Sequence, residues 1–257
     1  MFDVPHSHPT RLEGLSIVLP CLDEAENIAA VIGAATTAAR SVTDDYEVIV
    51  VDDGSTDATG AIAREIAERD PRVVVVSHPA NRGYGAAVRS GIDASRLAWV
   101  LLTDADGQFD FSDLPRFVID SPDYDMLAGY RAHRQDPWHR RVAAAAWKLL
   151  VRRSFGVNLH DIDCAFKLVR GDRLRSLKLS CDGAMLPTEL LVRAMQDHWR
   201  IAELSVHHLP RLAGRSTGGN PRVALRALRE RHAFSQDLRA VKVPLSARVL
   251  PSWPPLF

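Results

Sequence analysis

Four short apolar runs, at 15–20, 46–51, 72–77 and 98–103, are separated by segments whose apolar and alanine residues recur at helical spacing, at 23–40, 56–69 and 84–96. The runs are apolar at nearly every position rather than at alternate ones, so each is expected to be a strand buried on both faces. Such strands alternating with helices build a parallel sheet covered on each side. The first roughly 105 residues therefore read as a β-α-β-α-β-α-β nucleotide-binding layout, with Ser55 or Thr56 capping the second helix. Beyond it the pattern loosens to a strand at 125–128, an arginine-rich helix at 139–155 and a helix at 187–198. Pro244, Pro251, Pro254 and Pro255 leave the last stretch too proline-rich for regular structure. The expected organisation is one domain over 14–230 and a C-terminal extension over 231–257.

With 257 residues, the chain is long enough for one large core and far from a stapled mini-protein. Lys+Arg 32 balance Asp+Glu 32, which removes the whole-chain argument for nucleic-acid binding. Cys21, Cys164 and Cys181 are widely spaced and odd in number, a pattern that suits a reduced cytoplasmic setting better than a disulfide framework or a zinc site. The longest apolar run, around 142–151, is interrupted by Lys148 and falls short of the ~18–20 residues that span a bilayer. The first 14 residues carry Asp, His and Pro rather than a basic and then apolar leader, so no secretion is expected.

Charge is segregated although it cancels. Asp104, Asp106, Asp110, Asp113, Asp120, Asp123 and Asp125 face only Arg116 in their stretch, whereas Arg131, Arg134, Arg140, Arg141, Lys148, Arg152 and Arg153 face only Asp136 in theirs. The plain reading is two solvated faces of opposite sign. The sharper one is a site for a cation and a polyphosphate, with carboxylates for the metal and guanidinium groups for the phosphates.

Two motifs favour the sharper reading, and a third excludes a rival to it. Asp104-Ala-Asp-Gly-Gln108 directly follows the fourth strand; its alternating carboxylates can point to one side and address one hard cation or a nucleotide, with Gln108 offering a further oxygen. Asp52-Asp53-Gly54-Ser55 closes the second strand, at the strand ends where open parallel sheets take their ligands. A turn and helix cap explains Gly54 to Asp57 but not the two acids before them, so Asp52 reads toward base or ribose and Asp53 toward metal and phosphates. Asn81-Arg-Gly-Tyr-Gly85 lacks the third glycine of a dinucleotide fingerprint, Val88 standing in its place, and Pro20-Cys-Leu-Asp-Glu24 follows the first strand where that fingerprint belongs. A dehydrogenase is thereby excluded. His207 and His208 are adjacent and point apart on a strand, which makes a poor metal pair.

Taken in order, residues 16–28, Val50-Val-Asp-Asp-Gly-Ser-Thr-Asp57, Asn81-Arg-Gly-Tyr-Gly-Ala86 and Asp104-Ala-Asp-Gly-Gln108 resemble glycosyltransferase family 2 of the GT-A fold. Within it the chain is most similar to the polyprenyl-phosphate (dolichol-phosphate-type) mannosyl- and glucosyltransferases. The resemblance continues through Gly129-Tyr-Arg131, Asp161-Ile-Asp-Cys-Ala-Phe-Lys167, Thr188-Glu-Leu190 and the stretch 211–222, covering about 14–230. It implies an α/β GT-A fold with a mostly parallel central sheet flanked by helices. It also implies a nucleotide pocket lined by Pro20, Asp23, Glu24, Asp52 and Asp53. Mg²⁺ or Mn²⁺ would sit on Asp104, Asp106 and Gln108, and Arg131 would touch phosphate. Asp161 would lie beside the sugar, Lys167 fills a basic place after Phe166, and Arg215 and Ser216 belong to a loop that closes over phosphates. Position 23 carries Asp where Asn is more usual in the family, and no membrane-spanning run follows the catalytic part.

The implied enzyme moves a hexose from a GDP- or UDP-sugar to a polyprenyl phosphate, with inversion, from the cytoplasm at the inner face of the membrane. Asp106, Asp161 and Arg131 would carry the catalysis. A phosphate acceptor is already anionic and needs no strong base. A soluble hydroxyl acceptor, the alternative, needs Asp161, Asp163 or Glu189 to take its proton; a catalytically silent nucleotide-sugar module is the third reading. Truncating Arg131 is expected to weaken phosphate binding with little loss of fold. The segment 139–153 brackets an apolar block with arginines and could lie on an anionic membrane, although an Ala/Leu stripe of this kind is more commonly core. Arg222, Arg226 and Arg229 recur at helical spacing as a second basic stripe, read as a solvated face.

Overall fold

The structure is a computed structural model and describes residues 11–132, 138–211, 213 and 221–240. Seven strands form one sheet: β1 (Leu15–Cys21), β2 (Tyr46–Asp52), β3 (Val73–Ser77), β4 (Trp99–Leu102), β5 (Met126–Arg131), β6 (Lys167–Arg170) and β7 (Ile201–Val206). Their order is β3-β2-β1-β4-β6-β5-β7, parallel throughout except that β6 runs antiparallel to both β4 and β5. The helices are α1 (Ile28–Val42), α2 (Thr59–Arg69), α3 (Tyr84–Ala94), α4 (Leu114–Asp120), α5 (Trp138–Phe155), α6 (Gly171–Ser176), α7 (Leu186–Gln196) and α8 (Pro221–Ala240).

Every residue of β1 and β2 is buried, because each face of the sheet is covered by its own core. Ile17, Leu19 and Val48 join Ile28, Val31, Ile32 and Phe117 on one side. Val18, Ile49 and Val51 join Val88, Ile92, Leu190 and Phe234 on the other. That two-sided burial produces the unbroken apolar runs of the sequence. The strand expected at 125–128 is β5, and the helices expected at 139–155 and 187–198 are α5 and α7.

Two helices start later than their apolar spacing predicts, for a local reason. Asp23 is in the left-handed region (φ 54) and ends any helix begun there, so α1 starts at Ile28. The expected cap residues of α2 are otherwise engaged: the Ser55 hydroxyl accepts from Asp23 N at 3.0 Å, the Thr56 hydroxyl donates to the Asp23 carboxylate, and Asp57 accepts from Thr59 N at 2.9 Å where α2 begins. α8 runs through position 230, and its Phe234 ring packs on Phe155 of α5 at 5.5 Å, so the boundary expected between 230 and 231 falls within a packed helix. The proline-rich end lies outside the described residues.

Candidate active site

Ligands of open sheets sit beyond the carboxyl ends of the strands where the winding reverses, here between β1 and β4. Asp104 and Asp106 follow β4 directly into that crevice. One Asp106 oxygen accepts from the Gln108 amide at 3.0 Å and the other from the Arg211 guanidinium at 3.3 Å. The Tyr84 hydroxyl lies on the Asp104 side of the crevice and interacts with its carboxyl. Burial and then the Asp106 charge push the Asp104 carboxyl up to about 7, against the Tyr84 hydrogen bond and the charges of Arg131 and Lys167.

A divalent cation fits this pair. Two carboxylates that repel one another in a desolvated crevice gain from a positive charge between them, and Mg²⁺-like ions are commonly held by one or two carboxylates with substrate phosphates completing the shell. Among the described residues no group of three or more His, Cys, Asp or Glu could hold a metal. Gln108 is adjacent, its side-chain amide donating to Leu209 O at 3.2 Å.

The other expected nucleotide-pocket residues divide into two groups. Pro20 lies in buried β1, and Glu24 beyond it holds Asn27 at 2.7 Å and a guanidinium nitrogen of Arg211. Burial raises the Glu24 carboxyl, while the contacts with Asn27 and Arg211 oppose the shift. Asp23 accepts Thr56 N at 2.7 Å and ties the β1 loop to the β2 loop; Asp is one of the few residues that tolerate its left-handed backbone. Asp52 accepts Ser55 N at 2.9 Å. Asp53 is buried and engaged from behind, by His78 Nδ1 at 2.6 Å and by the amides of Arg82 and Gly83 at 3.0 and 2.8 Å. Its carboxylate therefore organises the 81–85 loop, where the sequence pointed it toward metal and phosphates. Gly54 (φ 76) makes this turn possible, since a Cβ there would meet Ala80 C at 2.5 Å.

Arg131 and Asp161 form a two-toothed ion pair, at 2.6 and 2.9 Å, with side chains 14% and 6% exposed. Arg131 was expected on phosphate; in this structure its guanidinium is held by Asp161. Removing it would take the guanidinium from a buried carboxylate, so the expectation that truncation spares the fold gives way. Lys167 is buried and donates to the carbonyls of Ile162 and Cys164, and burial lowers its ammonium below the ordinary lysine range. Glu189, a candidate base, is fully buried and accepts from Ser180 N, Ser180 Oγ, Cys181 N and Arg193. Burial would raise its carboxyl; those donors outweigh burial and hold it below the usual range. Asp163 is exposed. Arg215 and Ser216, and the side chains of Arg140 and Arg141, lie outside the described residues.

Sequence reasoning missed three residues. Arg211 joins Glu24 and Asp106, its partners lying 187 and 105 positions away; it was visible only as the first residue of a similar stretch. Tyr84 and His78 carried no signal at all, one being read as part of a glycine loop and the other lying just past the third strand.

The family model for Glycosyl transferase family 2 matches residues 16–176. An uncharacterized glycosyltransferase of Mycobacterium tuberculosis is 36% identical over 210 residues, 79% of this chain and 89% of that protein. A dodecaprenyl-phosphate galacturonate synthase of Rhizobium johnstonii is 32% identical over 216 residues, 82% of this chain and 63% of that protein. Among solved structures, glucosyl-3-phosphoglycerate synthase of M. tuberculosis with uridine diphosphate superposes with a TM-score of 0.67 at 20% identity, covering 87% of this chain and 80% of that one. The same synthase with Mn²⁺, UDP-glucose and phosphoglyceric acid gives 0.62 at 21%, covering 85% and 80%.

Proposed function

The chain belongs to glycosyl transferase family 2 with a GT-A fold, and from that premise we propose that this glycosyltransferase moves a hexose from a nucleoside-diphosphate sugar to a polyprenyl phosphate at the membrane surface. One observation carries the choice of acceptor. Two of the three carboxylates that could deprotonate a hydroxyl are committed elsewhere, Asp161 to Arg131 and Glu189 to Ser180, Cys181 and Arg193, and the third, Asp163, is exposed to solvent. Such a site suits an acceptor whose oxygen is already anionic, and a phosphate monoester is one.

In this mechanism Asp104 and Asp106 hold Mg²⁺ or Mn²⁺, which when bound would supply positive charge for the departing diphosphate. An acceptor phosphate oxygen attacks the anomeric carbon as the bond to the diphosphate breaks. The electron pair leaves with the nucleoside diphosphate, no proton moves, and direct displacement inverts the centre. Arg131 and Lys167 bring fixed positive charge to the Asp104 side of the crevice, and Arg211 brings more between Glu24 and Asp106. Asp161 holds the Arg131 fork in place and flanks the sugar. Arg215 and Ser216 are assigned to phosphate contact on the family resemblance alone.

Support for the membrane comes from chemistry at the surface. No helix among the described residues is long and apolar enough to cross a bilayer. On α5, Leu149 is 57% exposed beside Arg152 and Arg153; on α8, Leu225 and Leu228 are 50% and 45% exposed beside Arg226 and Arg229. Exposed leucines with arginines close by in the same helix are the composition of a helix lying on anionic lipid at the cytoplasmic face. The catalytic unit is proposed over 14–230 with 231–257 as an extension, which would begin within α8.

The test offers the purified enzyme labelled UDP-glucose or GDP-mannose with Mn²⁺. Undecaprenyl phosphate, 3-phosphoglycerate and a simple alcohol are supplied as separate acceptors. Label extracted with the lipid supports the reading. Label on 3-phosphoglycerate or the alcohol alone replaces it with a soluble hydroxyl acceptor, and no metal-dependent turnover with any pair overturns it.

A further inference from the structure

Two acids from different loops share one cation. Glu24, past the end of β1, and Asp106, past the end of β4, both hold the Arg211 guanidinium: Nη1 lies 3.3 Å from an Asp106 oxygen, and Nη2 donates to a Glu24 oxygen. The side chains of Arg211, Glu24 and Asp106 are only 17%, 10% and 17% exposed, so water screens them poorly. Neighbouring bonds keep the guanidinium in this place. Leu209 N donates to Gln108 O at 2.8 Å, the Gln108 side-chain amide donates back to Leu209 O at 3.2 Å, and Arg211 Nε donates to Ala213 O at 2.8 Å. Asn27 closes the ring, donating to the second Glu24 oxygen at 2.7 Å and to Ala213 O at 3.4 Å. Of the five N–H donors of a guanidinium, these bonds use three and two remain.

We propose that Arg211 makes cation binding and diphosphate binding depend on one another: its charge, fixed on Asp106 and Glu24, opposes entry of a divalent cation by itself, and its two remaining N–H groups take diphosphate oxygen when cation and nucleotide enter together. The inference rests on the reading of Asp104 and Asp106 as cation-holding carboxylates and deepens it. A positive charge 3.3 Å from an Asp106 oxygen competes for that oxygen and repels a second cation, strongly so where water is scarce. An anionic diphosphate reverses the balance, because it attracts metal and guanidinium alike. Each ligand then strengthens the other by the same factor, and couplings of this kind run to about 5–150-fold. The site thereby favours a metal-loaded nucleoside diphosphate over either part alone.

The experiment titrates Mn²⁺ into wild type, Arg211→Gln, Arg211→Lys and Asp104→Asn, reading free Mn²⁺ by paramagnetic resonance with and without UDP or GDP, each against a protein-free control with the same nucleotide. Thermal midpoints are measured alongside. Wild type is expected to bind Mn²⁺ about 5-fold or more tightly with nucleotide than without. Arg211→Gln removes the charge and is expected to bind Mn²⁺ alone about 5–10-fold more tightly than wild type, while the gain from nucleotide shrinks by a similar factor. Arg211→Lys keeps the charge without the two-armed reach and is expected to fall between the two. A purely structural role for Arg211 would weaken Mn²⁺ binding in both conditions. Unchanged or weaker binding of Mn²⁺ alone by Arg211→Gln, or an undiminished gain from nucleotide, therefore overturns the proposal and leaves the metal reading intact. Equal affinity with and without nucleotide in wild type overturns it with no variant needed. Wild-type binding by Asp104→Asn, or no Mn²⁺ binding by wild type in any condition, overturns the metal reading and this inference with it.

Discussion

Replacing Asp161 by Asn tests whether the Arg131 pair is part of the fold's stability as well as of the site. The pair is two-toothed, at 2.6 and 2.9 Å, and both side chains are largely withdrawn from water. Asn keeps the size and one acceptor but leaves the guanidinium without its counter-charge, and breaking a buried pair from one side costs about 3–5 kcal/mol. Arg131 retains some exposure, so the lower end applies, about 3 kcal/mol. For a domain of this size each kcal/mol moves the thermal midpoint by roughly 2–4 °C, which gives a fall of roughly 6–12 °C. Arg131→Met should cost more, because the carboxylate it strands is the more buried partner. The double variant should cost less than the sum, by about 1–3 kcal/mol. The assay is thermal unfolding without nucleotide, where loss of substrate contacts has no effect. A fall under about 2 °C in Asp161→Asn, or an additive cycle, would show that the pair does not behave as a desolvated ion pair and would refute the reasoning.

Glu189 makes stability pH-dependent: its carboxyl is held below the ordinary range, so its stabilisation is fully present above the unfolded value of about 4.3 and is lost as pH falls through the folded value. The stability gap between wild type and Glu189→Gln, about 3 kcal/mol at pH 7, should therefore narrow on acidification toward pH 3; a constant gap in denaturant titrations would contradict this. Gly54→Ala forces a Cβ against the 80–81 backbone at φ 76 and should destabilise by about 1–3 kcal/mol, whereas Gly33→Ala, with nothing within 4 Å on α1, should stabilise by about 0.5–1 kcal/mol, both read from thermal midpoints. Leu225→Asp with Leu228→Asp should reduce sedimentation with anionic phosphatidylglycerol vesicles at least several-fold while leaving the midpoint within about 2 °C, since both side chains are exposed; unchanged sedimentation would remove α8 from the membrane contact.

The legible part of this protein is the part written in contiguous residues. β1, β2 and β4 are visible because each is buried on both faces, and two-sided burial demands apolar side chains one after another; β3, half-buried at the sheet edge, is visible from its run of four valines. Asp104 and Asp106 are visible because an acidic turn at the end of a buried strand is chemically conspicuous. β6 is not visible: four residues, Lys167–Arg170, with a charge at each end offer no period to detect, and only pairing with β4 on one side and β5 on the other makes them a strand. β7 also passed unnoticed, half-buried at the edge with Glu203 within it.

Within the site, the sequence by itself determined which carboxylates stand at the strand ends and pointed to a nucleotide as what they would face. Tertiary structure decided what each of them faces. Asp53 looks as available as Asp52 in the sequence, yet the return of the chain after β3 brings His78 and two amides onto it and turns it to framework. Arg131 and Asp161 are 30 positions apart and become a pair only because the turn before β6 lies against the end of β5. Arg211 reaches Glu24 and Asp106 only when the chain beyond β7 returns to the β1 and β4 ends. The physical reason is one of range: burial periodicity and turn chemistry act over a few neighbouring residues, while counter-charges and hydrogen-bond partners come from whatever the folded chain brings within about 3 Å.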